Sequence, residues 1–220
     1  MDYTNSVVCV GDGRGFVVEA QRGRLIITAA HCLPHLPPPH GASYLEERTY
    51  AQLVGALGEE PTVWAVCVFV DPVADLAVLA GLDDQDLWEE AESYAALVDA
   101  ATPLRLGHLD FVAPKLVLSD GTTVYGLPKA EADARMLSLD GEWFACRVSS
   151  WGDSILISDA SRPIESGMSG SPVLSADGKA IGVVCVGDGI GWGSPANPYL
   201  AGCLPGWLLR EHPPAPIMRD

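Results

Sequence analysis

The chain has 220 residues, room for one large domain or two small ones, and 48% of them are hydrophobic, enough to bury a core. Against 29 Asp and Glu stand 13 Lys and Arg, a formal charge of −16, which excludes binding to a phosphate backbone by counterion release and disfavours anionic membrane surfaces. No apolar run approaches the ~18 residues of a membrane span, and the first ten residues carry an acidic Asp2 and no basic n-region. The expected partners therefore include no nucleic acid and no membrane, and no secretory leader is expected.

In chain order, Gly and Pro punctuate short β-branched runs at 7–10, 15–18, 25–28, 63–70, 76–79, 116–118, 155–157 and 181–186. Runs of this length between turn residues predict an all-β sandwich or barrel. Residues 21–24 read as a hairpin turn, and Pro37, Pro38 and Pro39 fall in a long irregular loop. Residues 83–101 lack Gly and Pro and place Leu87, Trp88, Ala91, Tyr94, Ala95 and Val98 at helical spacing, which predicts one acidic amphipathic helix. After Pro205 and Gly206, residues 208–211 can begin a short terminal helix, and the Pro-rich stretch 212–216 reads as an extended tail. Six cysteines (Cys9, Cys32, Cys67, Cys146, Cys185, Cys203) are far apart and form no Cys-x-x-Cys pair, the pattern of buried free thiols in a reducing compartment.

Three segments carry chemistry. Hydrolysis through an acyl intermediate needs a nucleophile, a base for its proton, a group that fixes the base's tautomer, and donors for the oxyanion. His31 ends an apolar strand and can be the base. Asp75 opens another and can accept the imidazole N–H, and Ser169 lies in the turn Gly167-Met168-Ser169-Gly170, whose glycines can expose a hydroxyl and converge backbone N–H groups. Singly, each has a plainer reading: a packed histidine, a turn-capping aspartate, a glycine turn. Together, in the order His, Asp, Ser and on fitting strands, they form one site. The order does not suit an α/β-hydrolase, which needs the Ser first and a Gly where Ser171 stands. A zinc site at His31, Cys32, His35 and His40 is the weaker alternative, since prolines interrupt it and no second Cys/His pair closes a tetrahedron.

These segments resemble the trypsin/chymotrypsin superfamily of serine endopeptidases, above all the compact bacterial branch that includes the high-temperature-requirement proteases. The likeness is carried by Gly13-Arg14-Gly15-Phe16 leading through 25–32 to the histidine, by 102–107 as an inter-barrel link, by 121–128 as the start of a second barrel, and by the hairpin 177–184. It implies an all-β fold of two six-stranded antiparallel β-barrels with an inserted acidic helix and a short C-terminal helix. The division it implies is 1–108 with His31 and Asp75, 109–205 with Ser169, and 206–220 as terminal helix and tail. It makes His31 the general base, Asp75 its orienting group, Ser169 the nucleophile, and the N–H groups of Gly167 and Ser169 the oxyanion hole. Cys185, Val186 and Gly187 would flank the substrate backbone. Pro163, six residues before the serine, would stand where specificity is often set, and an Asp there would have favoured Arg or Lys. No metal and no cofactor are implied.

Two departures qualify the likeness. Met168 replaces the Asp that exported trypsins use for zymogen activation, so gating is expected from loop order, an activating partner or a further domain. Cys32 follows the histidine as in exported members, but residues 13–16 hold no cysteine to pair with it. The expectation is a cytoplasmic bacterial serine endopeptidase that cleaves a specific protein, the Pro-rich end hinting at further domains in a longer parent. The alternative is a catalytically silent binding module on a protease fold.

Overall fold

The computed structural model describes residues 3–20, 23–38, 45–83, 87–110, 112, 115–125, 130–185 and 196–209. The first six strands are β1 (Val7–Val10), β2 (Gly13–Ala20), β3 (Gly23–Thr28), β4 (Thr49–Ala56), β5 (Val63–Asp71) and β6 (Leu76–Ala80). They pair antiparallel in the order β1-β2-β3-β6-β5-β4 and close into a barrel. Parts of β2 and β3 and all of β6 read as unbroken apolar runs because both of their faces are covered. Phe16, Val17 and Val18 on β2 and Leu25, Ile26 and Ile27 on β3 are all buried, some into the barrel interior and their alternates beneath neighbouring elements.

One such cover is helix α1 (Trp88–Ala100), packed on β3 and β5. It starts five residues later than the 83–101 periodicity suggested, and 84–86 lie outside the described residues. Its contact face is also narrower than predicted. Tyr94 and Val98 are buried, whereas Ala95 is exposed and Trp88 is 56% exposed. The Tyr94 hydroxyl donates to the Leu79 carbonyl at 3.1 Å, and the Arg24 guanidinium donates to the carbonyls of Val98 (2.8 Å) and Ala101 (3.3 Å). A cation there satisfies carbonyls that the last helical turn leaves open and opposes the negative end of the helix dipole.

Residues 102–107 then run between the two halves. The Leu104 N–H donates to Val17 at 2.8 Å, the Gly107 N–H to Ala180 at 2.8 Å, and the Ala180 N–H to Arg105 at 2.8 Å. A two-stranded hairpin, β7 (Lys115–Val117) and β8 (Thr123–Tyr125), follows. The second barrel comprises β9 (Glu131–Leu137), β10 (Trp143–Trp151), β11 (Ser154–Ser158), β12 (Pro172–Ser175), β13 (Ala180–Val183) and β14 (Asn197–Pro198). Its order is β13-β12-β9-β10-β11-β14, and an isolated antiparallel bridge from Gly182 to Tyr199 draws the two ends of the sheet together. A Cβ on Gly182 would lie 2.3 Å from Ile155 Cδ1 and 3.0 Å from the Pro198 carbonyl, so only glycine lets this seam approach closure. Two four-residue helices, α2 (Leu200–Cys203) and α3 (Gly206–Leu209), end the described chain; α2 has no counterpart in the sequence reading, and α3 begins two residues before the expected 208–211.

The architecture is thus all-β, two six-stranded antiparallel barrels of the chymotrypsin-like kind, one fully closed and one nearly so. Among the described residues no helix is long and apolar enough to cross a membrane.

Candidate active site

β3 ends at Thr28, and a single 3-10 turn, Ala30–Cys32, presents His31. Asp75 precedes β6, the strand that pairs with β3, so register alone brings the two residues together. The Ala30 N–H donates to the Asp75 carbonyl at 3.1 Å, the His31 N–H to Asp75 Oδ1 at 2.9 Å, and His31 Nδ1 lies 2.6 Å from Asp75 Oδ2. An ionised carboxylate at that distance makes Nδ1 the donor and leaves Nε2 as the basic atom. Asp75 reaches this pose with φ of +56°, a left-handed conformation that aspartate tolerates better than most side chains. The turn before it is held by Asp71, whose Oδ1 accepts from the N–H groups of Val73 (2.9 Å) and Ala74 (3.0 Å).

Ser169 comes from the second barrel, three residues before β12 begins at Pro172, and it is only 7% exposed. Its carbonyl accepts the Arg14 N–H at 2.7 Å, a bond from the first barrel. Gly170, with φ of +83°, fits tightly beneath it: a Cβ there would lie 1.7 Å from the Arg14 carbonyl. Met168 is wholly buried in the second core, and its sulfur accepts the Glu165 N–H at 3.2 Å. At the position where exported trypsins carry an aspartate, this chain uses an apolar anchor for the same turn.

A cleft of about 320 Å³ contains His31, Ser169 and Gly167, together with Ser166 and the segments 11–13 and 32–34. A larger hollow of about 410 Å³ lies on the outer face of β9 and β10 among Asp133, Arg135 and Arg147, but it holds no nucleophile beside a base. The smaller cleft is the one of the two that brings a serine and a histidine together.

Of the four expected substrate-binding residues, Cys185 and Pro163 are described. Cys185 is buried behind Asp75, its Sγ 3.7 Å from the Asp75 carbonyl, and its N–H is taken by Asn197 Oδ1 at 2.7 Å. Burial, and then the Asp75 charge, push its thiol pKa up. Pro163 is exposed beside Arg162 and is not among the residues lining the cleft. Val186 and Gly187 lie outside the described residues. Cys32 is buried with its thiol pKa raised by that burial, and all six cysteines are free. His35 packs against Tyr50 with ring centroids 5.0 Å apart, His40 lies outside the described residues, and among those described no three His, Cys, Asp or Glu side chains are grouped to hold a metal.

Sequence reasoning missed two contributors. The turn 11–13 forms part of the cleft wall, and Arg14 contacts the serine turn from across the barrel interface. The signal for the second was a charged residue standing in an otherwise buried strand.

The family profile described as trypsin-like peptidase domain matches residues 13–183. No curated protein matches the chain. Among solved structures it is similar to Rv3671c from M. tuberculosis H37Rv, crystallised as an inactive serine-to-alanine mutant, with 19% identity over 91% of this chain and 83% of that one and a TM-score of 0.47. It is also similar to a chain from a Sesbania mosaic virus structure concerned with coupled folding and binding of the disordered VPg protein, with 15% identity over 90% of this chain and 86% of that one and a TM-score of 0.49.

Proposed function

Since the chain belongs to the trypsin-like peptidase domain family, we propose that it is a serine endopeptidase that hydrolyses a protein substrate with Ser169, His31 and Asp75. Ser169 Oγ attacks the peptide carbonyl carbon while His31 Nε2 takes the hydroxyl proton, and Asp75 stabilises the imidazolium that results. The N–H groups of Gly167 and Ser169 hold the tetrahedral oxyanion. Collapse breaks the C–N bond, and the departing amine leaves with the proton from His31. Water, deprotonated by the same imidazole, then cleaves the acyl-serine ester and restores the hydroxyl. No cofactor enters any step.

The observation that carries this reading is the two-point grip of Asp75 on His31, at 2.6 and 2.9 Å, in the same cleft as Ser169. A histidine that only packed would have no use for a carboxylate fixing both its backbone and its ring. The formal charge of −16 supports a substrate segment that is basic, and six free cysteines support a reducing, cytoplasmic location.

A fluorophosphonate probe tests the reading directly. The wild-type protein is expected to become labelled and Ser169→Ala is not. Absence of labelling in the wild type, with the fold intact, would favour a silent binding module instead.

A further inference from the structure

Arg14 has a part in this site that the triad chemistry does not use. It lies on β2, is 6% exposed, and has no carboxylate partner among the described residues. Its Nη1 donates to the carbonyls of Leu137 (3.1 Å) and Ser138 (3.0 Å), and its Nη2 to that of Leu139 (3.3 Å). Those three carbonyls belong to the end of β9 and the turn that follows it, in the other barrel. Burying a guanidinium against carbonyl dipoles alone costs desolvation that an apolar side chain would avoid, so its retention calls for a purpose.

The backbone of the same residue touches the serine turn. The Arg14 N–H donates to the Ser169 carbonyl at 2.7 Å, and the Arg14 carbonyl accepts the Thr28 hydroxyl at 2.6 Å and faces Gly170. The turn 138–142 in turn reaches Gly167: Leu139 Cδ2 lies 3.4 Å from where a Cβ on Gly167 would stand. It is gripped from its other side by Arg162, five residues before Gly167, whose Nη1 donates to both Asp140 oxygens at 3.0 Å and whose Nη2 pairs with Glu142. The turn is thus clasped between an arginine of the first barrel and an arginine of the loop that bears Gly167.

We propose that Arg14 is a positioning residue for the oxyanion donors, holding the turn 138–142 against Gly167 so that the Gly167 N–H stays aimed beside Ser169. This rests on the serine endopeptidase reading. The bond from its backbone fixes where the nucleophile sits in relation to the first barrel. The bonds from its side chain fix where the donor loop sits, and one residue therefore sets both distances.

The test compares wild type, Arg14→Met, Arg14→Lys and Leu139→Ala on a cleavable peptide, with hydrogen exchange of the segment 164–170 measured alongside. In folded Arg14→Met, kcat is expected to fall about 100-fold, the scale of losing one oxyanion donor, with KM unchanged within about twofold. Arg14→Lys should recover only part of that loss, since an ammonium keeps the charge without the planar fork. Exchange in 164–170 should quicken in both. An unchanged kcat, or a raised KM at constant kcat, overturns the proposal. Should Arg14→Met fail to fold, Leu139→Ala decides: its side chain is 47% exposed, so the barrel tolerates its loss. A lower kcat at constant KM then supports the proposal and an unchanged kcat overturns it. If the wild type is not labelled by fluorophosphonate, the peptidase reading fails by itself. Exchange in 164–170 then still reports on the clasp, faster in Arg14→Lys if it exists and unchanged if it does not.

Discussion

In the first barrel β2 buries Phe16, Val17 and Val18, β3 buries Leu25, Ile26 and Ile27, and the six strands hydrogen-bond round a full circle. In the second, β9 leaves Glu131 and Asp133 in solvent, and among the described residues its circle is finished by one isolated bridge between Gly182 and Tyr199. The difference maps onto the site. His31 and Asp75 flank the ends of β3 and β6, adjacent strands of the closed barrel, and are held by its register. Ser169 and Gly167 stand on a loop of the looser barrel, and part of what fixes that loop comes from outside it, through the Arg14 N–H and side chain. A base can be placed by a core. The proposed nucleophile is placed by bonds across an interface.

The sharpest way to break this contrast is to disable the half that needs no help. Asp75→Asn is expected to leave near-ultraviolet circular dichroism unchanged and lower kcat by about 10⁴-fold, because the wrong tautomer of His31 is then favoured. A rate close to wild type would show that a different group orients the imidazole. Next in size, Gly170→Ala drives a methyl to within 1.7 Å of the Arg14 carbonyl at a φ of +83°. Since backbone meets backbone, neither side can yield cheaply, and urea unfolding should show a loss of about 3 kcal/mol or more. A loss under about 1 kcal/mol would mean that the interface is slack and the serine turn is placed by other means. Smallest is Gly182→Ala at the seam of the second barrel. Ile155 can swing aside but the Pro198 carbonyl cannot, so a loss of about 1–3 kcal/mol is expected, with faster hydrogen exchange in β13 and no comparable change in β3. Equal exchange in both strands would erase the distinction between the barrels.

The same contrast governs what could be read from the sequence. The runs at 7–10, 25–28, 63–70 and 76–79 were legible as strands because a doubly covered strand is apolar throughout. β9, written Glu-Ala-Asp-Ala-Arg-Met-Leu, was not, because all of those residues but Asp133 are good helix formers and only its pairing with β10 and β12 makes it a strand. β4 was missed for a related reason, its apolar residues being interrupted by Gln52 and Gly55 in a strand whose register shifts against β5. The triad candidates were legible because each is marked by an unusual neighbourhood: a histidine closing an apolar strand, an aspartate opening one, a serine between glycines. Cys185 was expected to flank the substrate backbone; that its side chain backs Asp75 was not legible, a matter of which way one side chain turns two residues past β13. Arg14 was visible as a letter, but its three carbonyl acceptors are more than 120 residues away in the chain, with separations of 123, 124 and 125.

The segment 102–107 has a mechanical consequence. Hydrogen-bonded to Val17 on one side and Ala180 on the other, it works as a spline between the barrels rather than a tether. A tether would let the halves hinge and the cleft widen to admit a bulky guest. A spline sets the gap when the chain folds, so for the proposed peptidase the adjustment on binding is expected to fall to the substrate segment, which would arrive already extended or be unfolded enough to become so.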